Sequence, residues 1–237
     1  MSSAWLILPT YNEAENLEAM VRAALPRLAE AGSTPTILIV DDASPDGTGQ
    51  IADRLAQEVA EVRVLHRSTK DGLGRAYLAG FAAALEGGAD LILQMDSDFS
   101  HDPADLPRLI AASRAADVAL GSRYVPGGGV ENWALRRRIQ SRGGCAYARL
   151  ILGVPVRDLT GGFKCWRRTA LEALDLDGVD AHGYVFQIEM TYRAAKAGLS
   201  VTEVPIVFRE RREGQSKMTA RITLEAVWKV PALRLRG

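Results

Sequence analysis

The chain has 237 residues, of which 47% are apolar and 24% are charged, values that are ordinary for a globular protein of one large domain. Lysine plus arginine and aspartate plus glutamate both number 29, so a general affinity for nucleic acid is not indicated. No stretch reaches about 18 consecutive apolar residues, which predicts no transmembrane helix, and residues 1–9 lack a signal-peptide pattern, which favours the cytoplasm.

The first 120 residues alternate between short apolar runs and helical patterns. The apolar runs predict strands at residues 4–8, 36–40, 62–65, 91–95 and 117–121. Helical spacing of apolar residues follows the first three of these strands. We expect a capping box of Asn12 and Glu15 to start the first helix, and Asp46 and Asp102 to cap later helices. This order predicts an α/β fold in which a mostly parallel sheet carries helices on both faces.

Beyond residue 124 the pattern changes. The sequence predicts a loop at 126–129, a basic amphipathic helix at 135–152, a turn at 158–163, a helix at 184–197, a strand at 201–208 and a helix at 222–235. We expect the last helix either to pack on the domain or to help it dock on a membrane.

Polar clusters stand at the ends of three predicted strands. They are Pro9-Thr10-Tyr11, Asp41-Asp42 and Asp96-Ser97-Asp98. Ligands of parallel α/β sheets bind beyond the carboxyl ends of the strands. We therefore expect the three clusters to converge on one crevice.

The Asp96-Ser97-Asp98 cluster is the sharpest of the three. Two carboxylates separated by one residue are hard oxygen ligands that suit Mg²⁺ or Mn²⁺. The alternative is a solvated acidic turn with an aspartate capping the next helix, for which Asp102 is better placed. We interpret His101 as a loop histidine rather than a ligand.

The cluster after the second strand indicates nucleotide binding. Asp42 is placed to accept hydrogen bonds from a base or ribose, although residues 44–47 are also a good turn sequence. The glycine-rich GxGxxG of dinucleotide-binding folds is absent after the first strand, which argues against NAD or FAD.

Candidates for phosphate binding come later, at Arg123, Arg137, Ser141, Arg211 and Lys217. The spacing of Arg137 and Ser141 would place both on one helix face. Arginine forks and lysine charges match phosphate oxygens. A solvated or lipid-facing surface is the alternative, and we retain it for Arg136 and Arg138.

Together these residues resemble the family-2 glycosyltransferases of the GT-A fold, and more closely the polyprenol-phosphate (dolichol-phosphate) mannose synthases. The resemblance lies in residues 9–13 (PTYNE), 41–48 (DDASPDGT), 95–103 (MDSDFSHDP), 121–124 (GSRY), 159–163 (LTGGF), 183–190 (GYVFQIEM), 204–206 (VPI) and 214–217 (GQSK). It implies one GT-A domain over residues 1–237, with a nucleotide-sugar half (1–124), an acceptor half (125–218) and a C-terminal helix (219–237).

The resemblance implies that the chain transfers mannose from GDP-mannose to polyprenyl phosphate, with inversion and with Mg²⁺ or Mn²⁺. Because the acceptor is a lipid, we expect peripheral association with the cytoplasmic face of the membrane, and a membrane-protein partner is a further expectation. Two alternatives stay open: transfer from UDP-glucose or another nucleotide sugar to polyprenyl phosphate, and nucleotide-sugar binding without catalysis.

The resemblance also implies roles for individual residues. The guanosine would be held by Pro9, Tyr11, Glu13, Val40 and Asp42. The metal and diphosphate would be held by Asp96, Ser97 and Asp98, with Ser100 where some members have a glutamine ligand. The donor phosphates would contact Arg211 and Lys217, and the acceptor phosphate Arg123, Arg137 and Ser141. Of these residues, Asp96, Asp98, Arg123 and Arg137 would be catalytic.

Overall fold

A computed structural model of the protein describes residues 2–179, 184–210 and 228–235. The strands are β1 (Ser3–Thr10), β2 (Thr34–Asp41), β3 (Val62–His66), β4 (Leu91–Gln94), β5 (Val118–Ser122), β6 (Gly129–Val130), β7 (Lys164–Arg167), β8 (Val201–Pro205) and β9 (Val207–Phe208). The helices are α1 (Leu17–Glu30), α2 (Thr48–Glu58), α3 (Leu73–Glu86), α4 (Leu106–Ala112), α5 (Leu135–Leu152), α6 (Arg168–Glu172) and α7 (Tyr184–Lys196). Residues 228–235 are also helical.

Seven strands form one sheet in the order β3-β2-β1-β4-β7-β5-β8, and β6 pairs with β9 separately. All neighbours in the large sheet are parallel except β7, which is antiparallel to both β4 and β5. The mostly parallel α/β sheet is confirmed. The strand order reverses direction at β1, because β2 lies on one side of it and β4 on the other, and ligands of such sheets bind at this switch point.

The apolar strands are buried on both faces, which is why their sequences are nearly continuous apolar runs. Along β1, Leu6 and Leu8 pack into a cluster with α1, whereas Trp5 and Ile7 pack on the opposite face with α3. The strands β2 and β4 alternate in the same way. The sheet is therefore a rigid central layer, and its polar residues emerge where the strands end.

The three predicted helix caps agree with the structure to different degrees. The Asn12–Glu15 capping box is wrong, because α1 begins at Leu17 after Asn16, and Asn12 lies in a turn with φ 57°. Gly47 is the N-cap of α2, although the Asp46 carboxylate accepts from the backbone and hydroxyl of the first helical residue. Asp102 caps a short 3₁₀ turn by accepting from the backbone of Ala104, as predicted.

The second half of the chain contains the predicted elements, together with β6, β7 and α6, which were not predicted. The predicted helix 135–152 coincides with α5. The predicted strand 201–208 is divided at Ile206, whose backbone N–H donates to Ser122 while its carbonyl accepts from Gly129. Ile206 thus transfers the chain from the large sheet to the small one. Residues 222–227 of the predicted last helix lie outside the described residues.

Candidate active site

A cavity of about 300 Å³ lies at the carboxyl ends of β1, β2 and β4. Ten predicted site residues line it: Pro9, Tyr11, Glu13, Asp42, Asp96, Ser97, Asp98, Ser100, Arg123 and Arg137. The three polar clusters therefore converge as the sequence predicts. Arg123 follows β5 and Arg137 lies on α5, so elements later in the chain than the three clusters also line the cavity.

The turns that carry these clusters have an unusual backbone. Asn12, Ala43 and Phe99 have φ values of 57°, 55° and 60°, and each directly follows one polar cluster. Left-handed backbone costs about 1–3 kcal/mol for a residue other than glycine and persists where the surrounding structure enforces it. Hydrogen bonds between neighbouring turns supply part of that enforcement, since the Ser44 hydroxyl accepts from the backbone of Asn12 at 3.1 Å.

The two aspartates at the end of β2, Asp41 and Asp42, have different surroundings. Asp41 is buried and accepts from the Ser44 backbone at 3.3 Å, so it holds the turn. Asp42 lines the cavity and accepts from Arg67 at 2.5 Å. Burial raises the pKa of Asp42 above its ordinary value, and Arg67 opposes that shift. A hydrogen bond from a ligand would further favour the charged carboxylate.

An aromatic side chain stands beside this carboxylate. The Lys70 ammonium lies 3.6 Å from the centroid of the Tyr11 ring, which is a close cation–π contact. Glu13, two residues after Tyr11, accepts from the Asn16 side-chain amide at 3.1 Å. This end of the cavity thus combines an aromatic ring, carboxylates and a cation, which suits a nucleotide base and its ribose.

The carboxylates after β4 are held by buried neighbours. The hydroxyl of Tyr77 donates to Asp96 at 3.3 Å, and burial followed by the negative charge of Asp96 raises the pKa of this tyrosine. Asp98 accepts from the Ser100 backbone at 3.0 Å. Ser97 ties the turn to β1 by donating to the Pro9 carbonyl at 3.3 Å. Both carboxylates line the cavity.

This donor set fits a hard divalent cation. Asp96 and Asp98 supply carboxylate oxygens, and the buried Ser100 hydroxyl has no hydrogen-bond partner among the described residues. Mg²⁺ prefers such oxygen ligands and completes its shell with water and substrate phosphates. Within the described ranges, no group of three or more His, Cys, Asp or Glu side chains is placed to hold a metal. The cation site would therefore depend on ligands from the substrate.

His101 is buried rather than exposed on the loop. Its ring packs against Phe163 and Phe208 with centroids 5.2 and 5.0 Å apart. Burial lowers the pKa of His101, although the nearby Asp96 opposes that shift. The neutral ring helps to close the cavity behind the carboxylates.

Arg123 lines the cavity in a fixed orientation. Its Nε and Nη2 atoms donate to the two oxygens of Asp158 at 2.7 and 2.6 Å, and Nη2 also donates to Thr160 at 2.7 Å. Burial disfavours the charge, but the adjacent carboxylate of Asp158 outweighs it and raises the pKa of Arg123. The remaining nitrogen, Nη1, makes no hydrogen bond to the described residues, which leaves it available to a ligand anion.

Arg137 lies nearer to solvent. Its guanidinium stacks on the Trp133 ring, 4.0 Å from the centroid, and donates to Glu210 at 2.9 Å. Its Nε atom is buried without a partner among the described residues. The stacked ring fixes the plane of the guanidinium, whereas the exposed Glu210 pair is weak. A ligand phosphate could therefore compete for this arginine.

Two predicted residues, Val40 and Ser141, do not line the cavity, and two others lie outside the described residues. Val40 faces α3 on the buried side of β2, so its side chain packs in the core and does not line the cavity. Ser141, one helical turn beyond Arg137, is occupied by the Tyr124 hydroxyl, which donates to it at 2.6 Å. Arg211 and Lys217 lie outside the described residues.

Several cavity residues were not singled out from the sequence: Lys70, Thr160, Gly162 and Gln187. Asp158, which fixes Arg123, was missed as well. Thr160 and Gly162 fall in the predicted glycine turn, and Gln187 falls in the motif at residues 183–190 (GYVFQIEM). These two motifs, which carry part of the family resemblance, were the available signals.

Comparison with known proteins places these features in a family context. The family described as Glycosyl transferase family 2 matches residues 5–175. The undecaprenyl-phosphate mannosyltransferase of Micrococcus luteus is 50% identical over 221 residues, covering 93% of this chain and 89% of the relative. The polyprenol monophosphomannose synthase of Mycolicibacterium smegmatis is 49% identical over 234 residues, covering 98% and 87%.

A solved structure shares the fold at low identity. The glucosyl-3-phosphoglycerate synthase of Mycobacterium tuberculosis, in complex with Mn²⁺, UDP-glucose and phosphoglyceric acid, superposes with a TM-score of 0.73 at 18% identity. The match covers 98% of this chain and 80% of that chain. At this identity the likeness shows a common GT-A architecture.

Proposed function

Because the chain belongs to glycosyl transferase family 2 and is a glycosyltransferase, we propose that it transfers mannose from GDP-mannose to polyprenyl phosphate. The product would be polyprenyl β-mannosyl phosphate. The names of the two curated relatives, each about half identical over nearly the whole chain, support the sugar and the lipid acceptor. The base of the nucleotide is supported by the later motifs, such as residues 183–190 and 204–206, whose resemblance is more particular to the mannose synthases.

One observation carries the proposal: a single cavity is lined by both an acidic pair and two arginines. Asp96 and Asp98 fit the cation that accompanies a nucleoside diphosphate. Arg123 and Arg137 fit a second phosphate, one that belongs to the acceptor. A protein that merely stored a nucleotide sugar would have no use for this second anion site.

We propose that Asp96 and Asp98, with the Ser100 hydroxyl, hold Mg²⁺ or Mn²⁺. The ion would neutralise charge that develops on the departing diphosphate. Binding of Mn²⁺ with a nucleotide sugar by the structurally similar glucosyl-3-phosphoglycerate synthase accords with this assignment. The hydrogen bonds from Tyr77 and from the Ser100 backbone fix the direction of the two carboxylates before a substrate arrives.

The chemistry needs little from the side chains beyond positioning. A phosphate monoester is largely dianionic near pH 7, so its oxygen attacks the anomeric carbon without a general base. The bond from that carbon to the diphosphate oxygen breaks, and its electron pair leaves with the diphosphate. Arg123 and Arg137 would align the attacking oxygen. One displacement inverts the anomeric centre and gives a β-linked product from an α-linked donor.

We propose that the enzyme works at the cytoplasmic surface of a membrane. No described helix is long and apolar enough to cross one. Large apolar side chains are nevertheless exposed on α5 and on the last described helix: Leu135 71%, Ile139 63%, Leu150 78%, Trp228 76% and Leu235 88%. Arg234 donates to the carbonyl of Ile151, so the two helices touch. Exposed apolar groups flanked by arginines suit an anionic bilayer.

Transfer of radiolabelled sugar into organic-extractable polyprenyl phosphate tests the proposal. The assay compares GDP-mannose with UDP-glucose, each with Mg²⁺ and with a chelator. We expect labelling from GDP-mannose alone, and its loss with chelator. Labelling from UDP-glucose instead would overturn the donor assignment, and labelling that survives the chelator would overturn the metal assignment. Nucleotide binding without labelling from either donor would favour the non-catalytic alternative.

A further inference from the structure

A buried amide donor faces the cavity. Gln187, the fourth residue of α7, is 3% exposed, lines the cavity, and its Nε2 atom has no hydrogen-bond partner among the described residues. Burying an amide donor without an acceptor is costly, so such an atom marks a place where a ligand supplies one. We propose that Gln187 donates a hydrogen bond to a hydroxyl of the sugar that is transferred, an inference that rests on the proposed function.

The direction of this amide is set by an indole group. The Trp166 Nε1 atom can donate but not accept, and it lies 2.8 Å from Gln94 Oε1. The other end of the Gln94 amide must therefore donate, and it reaches Gln187 Oε1 at 2.8 Å. Since Oε1 of Gln187 accepts there, its Nε2 atom is left to face the cavity.

A buried lysine reinforces the same orientation. Lys164 Nζ donates to Gln187 Oε1 at 2.6 Å and can donate in either protonation state. A flipped Gln187 amide would present N–H groups to two donors, Lys164 and Gln94. The pairing of β4 with β7 places Gln94 directly opposite Lys164, so the sheet itself holds both donors in position.

The space in front of Nε2 suits a hydroxyl better than a phosphate. A Cβ atom on Gly162 would lie 3.4 Å from Gln187 Nε2 and 3.8 Å from Asp96 Oδ2. The missing side chain thus leaves room between an amide donor and a carboxylate acceptor. A hydroxyl can accept from the first and donate to the second, whereas an ionised phosphate oxygen has no proton to donate to Asp96. The lipid phosphate acceptor brings no hydroxyl to this position.

The test compares binding of GDP and GDP-mannose to the full chain with Mg²⁺, by titration calorimetry. Gln187→Glu replaces the outward amine with oxygen but keeps an acceptor for Lys164 and Gln94. Gly162→Ala fills the space in front of the amide and needs no unusual backbone angle. Thr191→Val is the matched control, because its hydroxyl bonds the backbone carbonyl of Gln187 and not the amide.

We expect Gln187→Glu and Gly162→Ala to weaken GDP-mannose binding about five- to tenfold, the loss expected for one hydrogen bond. GDP binding should change less than twofold, and Thr191→Val should leave the ratio of the two affinities unchanged. Analogues of GDP-mannose that each lack one hydroxyl identify the group: one of them should bind wild-type protein more weakly but lose no further affinity in Gln187→Glu.

Two outcomes separate this inference from the function on which it rests. If wild-type protein binds both ligands and the variants weaken both equally, or weaken neither, Gln187 does not contact the sugar, and the proposed function is untouched. If wild-type protein binds neither GDP nor GDP-mannose, the donor assignment fails and the inference fails with it.

Discussion

Arg123 and Asp158 form a bidentate ion pair in which both side chains are almost wholly buried, with Nε–Oδ2 and Nη2–Oδ1 distances of 2.7 and 2.6 Å. The backbone N–H of Arg123 also donates to Asp158, at 2.9 Å. Asp158 begins the turn that carries Thr160 and Gly162 into the cavity. One carboxylate therefore fixes both the arginine and the loop beside it.

Replacing Asp158 with asparagine should destabilise the fold, because it leaves the Arg123 charge buried without a counter-charge. We expect the free energy of unfolding to fall by about 3 kcal/mol, as for other broken buried pairs. Urea titration measures this change. Glu18→Gln, which breaks an exposed pair with Arg22 and Arg54, is the control and should have a much smaller effect. Equal losses for the two variants would contradict the prediction.

The Arg123–Asp158 pair should also make the free energy of unfolding depend on pH in the acid range. Burial raises the pKa of Asp158, but Arg123 outweighs burial and holds it below the ordinary 3.8. The stabilisation is therefore fully present above pH 3.8 and is lost as pH falls through the lower folded-state pKa. In Asp158→Asn this loss should be missing from the acid unfolding curve.

Removing the Asp98 carboxylate should abolish metal-dependent donor binding. We expect Asp98→Ala to lower transfer by about a hundredfold or more, since the diphosphate would lose its cation. Asp98→Asn is the companion variant, because its amide oxygen still accepts from the Ser100 backbone and preserves the turn. Wild-type turnover in either variant would remove Asp98 from the metal site.

Arg137→Ala should impair the use of the acceptor but not the binding of the donor. Donor binding should be unchanged, whereas transfer to polyprenyl phosphate should fall by about ten- to a hundredfold, the loss expected for a hydrogen bond to a charged group. Arg138→Ala, one residue along α5 and exposed, controls for the general charge of the helix. An equal loss of transfer in both variants would indicate lipid attraction by the whole helix rather than a specific phosphate contact.

The pH dependence of stability should report on Lys164. Burial lowers the pKa of Lys164 from 10.5 to about 7, so the unfolded chain binds more protons between these values and stability rises with pH. Relative to Lys164→Met, we expect the wild-type free energy of unfolding to increase by roughly 1.5 kcal/mol from pH 7 to 8.5. Parallel curves for the two proteins would contradict this shift.

The two buried cysteines add an opposite pH dependence to both proteins. Burial raises the pKa of Cys145 to about 11 and that of Cys165 to about 12, from 9.0. As the pH rises through 9.0 the unfolded thiols ionise while the folded ones do not, so their contribution to the free energy of unfolding falls. Because this contribution is shared by the wild type and Lys164→Met, the difference between the two proteins still reports Lys164.

The exposed apolar side chains of α5 should contribute to membrane binding. We expect Ile139→Gln with Leu150→Gln to lower the fraction that sediments with anionic vesicles about tenfold, because two apolar contacts are lost. Binding of GDP in solution should not change. Vesicle binding equal to that of the wild type would direct attention to other surfaces.

The sequence predicted the main strands and helices of residues 1–124 well because the signals for them are local. Buried parallel strands appear in the sequence as apolar runs, and helices appear as apolar residues at helical spacing. The strand β7 was missed because residues 164–167 (KCWR) contain two charges, which hide a central strand. Lys164 is tolerated there because the Gln187 oxygens accept from its ammonium, a tertiary contact that no local pattern reveals.

Candidate site residues that lie close together along the chain were the easier ones to predict. Asp96 and Asp98 are neighbours in sequence, and each follows a strand end. Arg123 was also found, but its partner Asp158 is 35 residues away and reads as an ordinary turn residue. The role of Val40 stays a prediction, and alternation along β2 places its side chain in the core.

The position of β7 has a consequence for how the molecule is assembled during synthesis. The strand β4 ends at the acidic pair, and its second neighbour is β7, some seventy residues later in the chain. Until Arg167 has left the ribosome, β4 is an open sheet edge of the kind that pairs with foreign strands. A fragment of residues 1–124 would keep that edge permanently, and β5 would lack both of its partners. The residues that we propose to bind the nucleotide all precede residue 124, yet the sheet beneath them is completed by a later part of the chain.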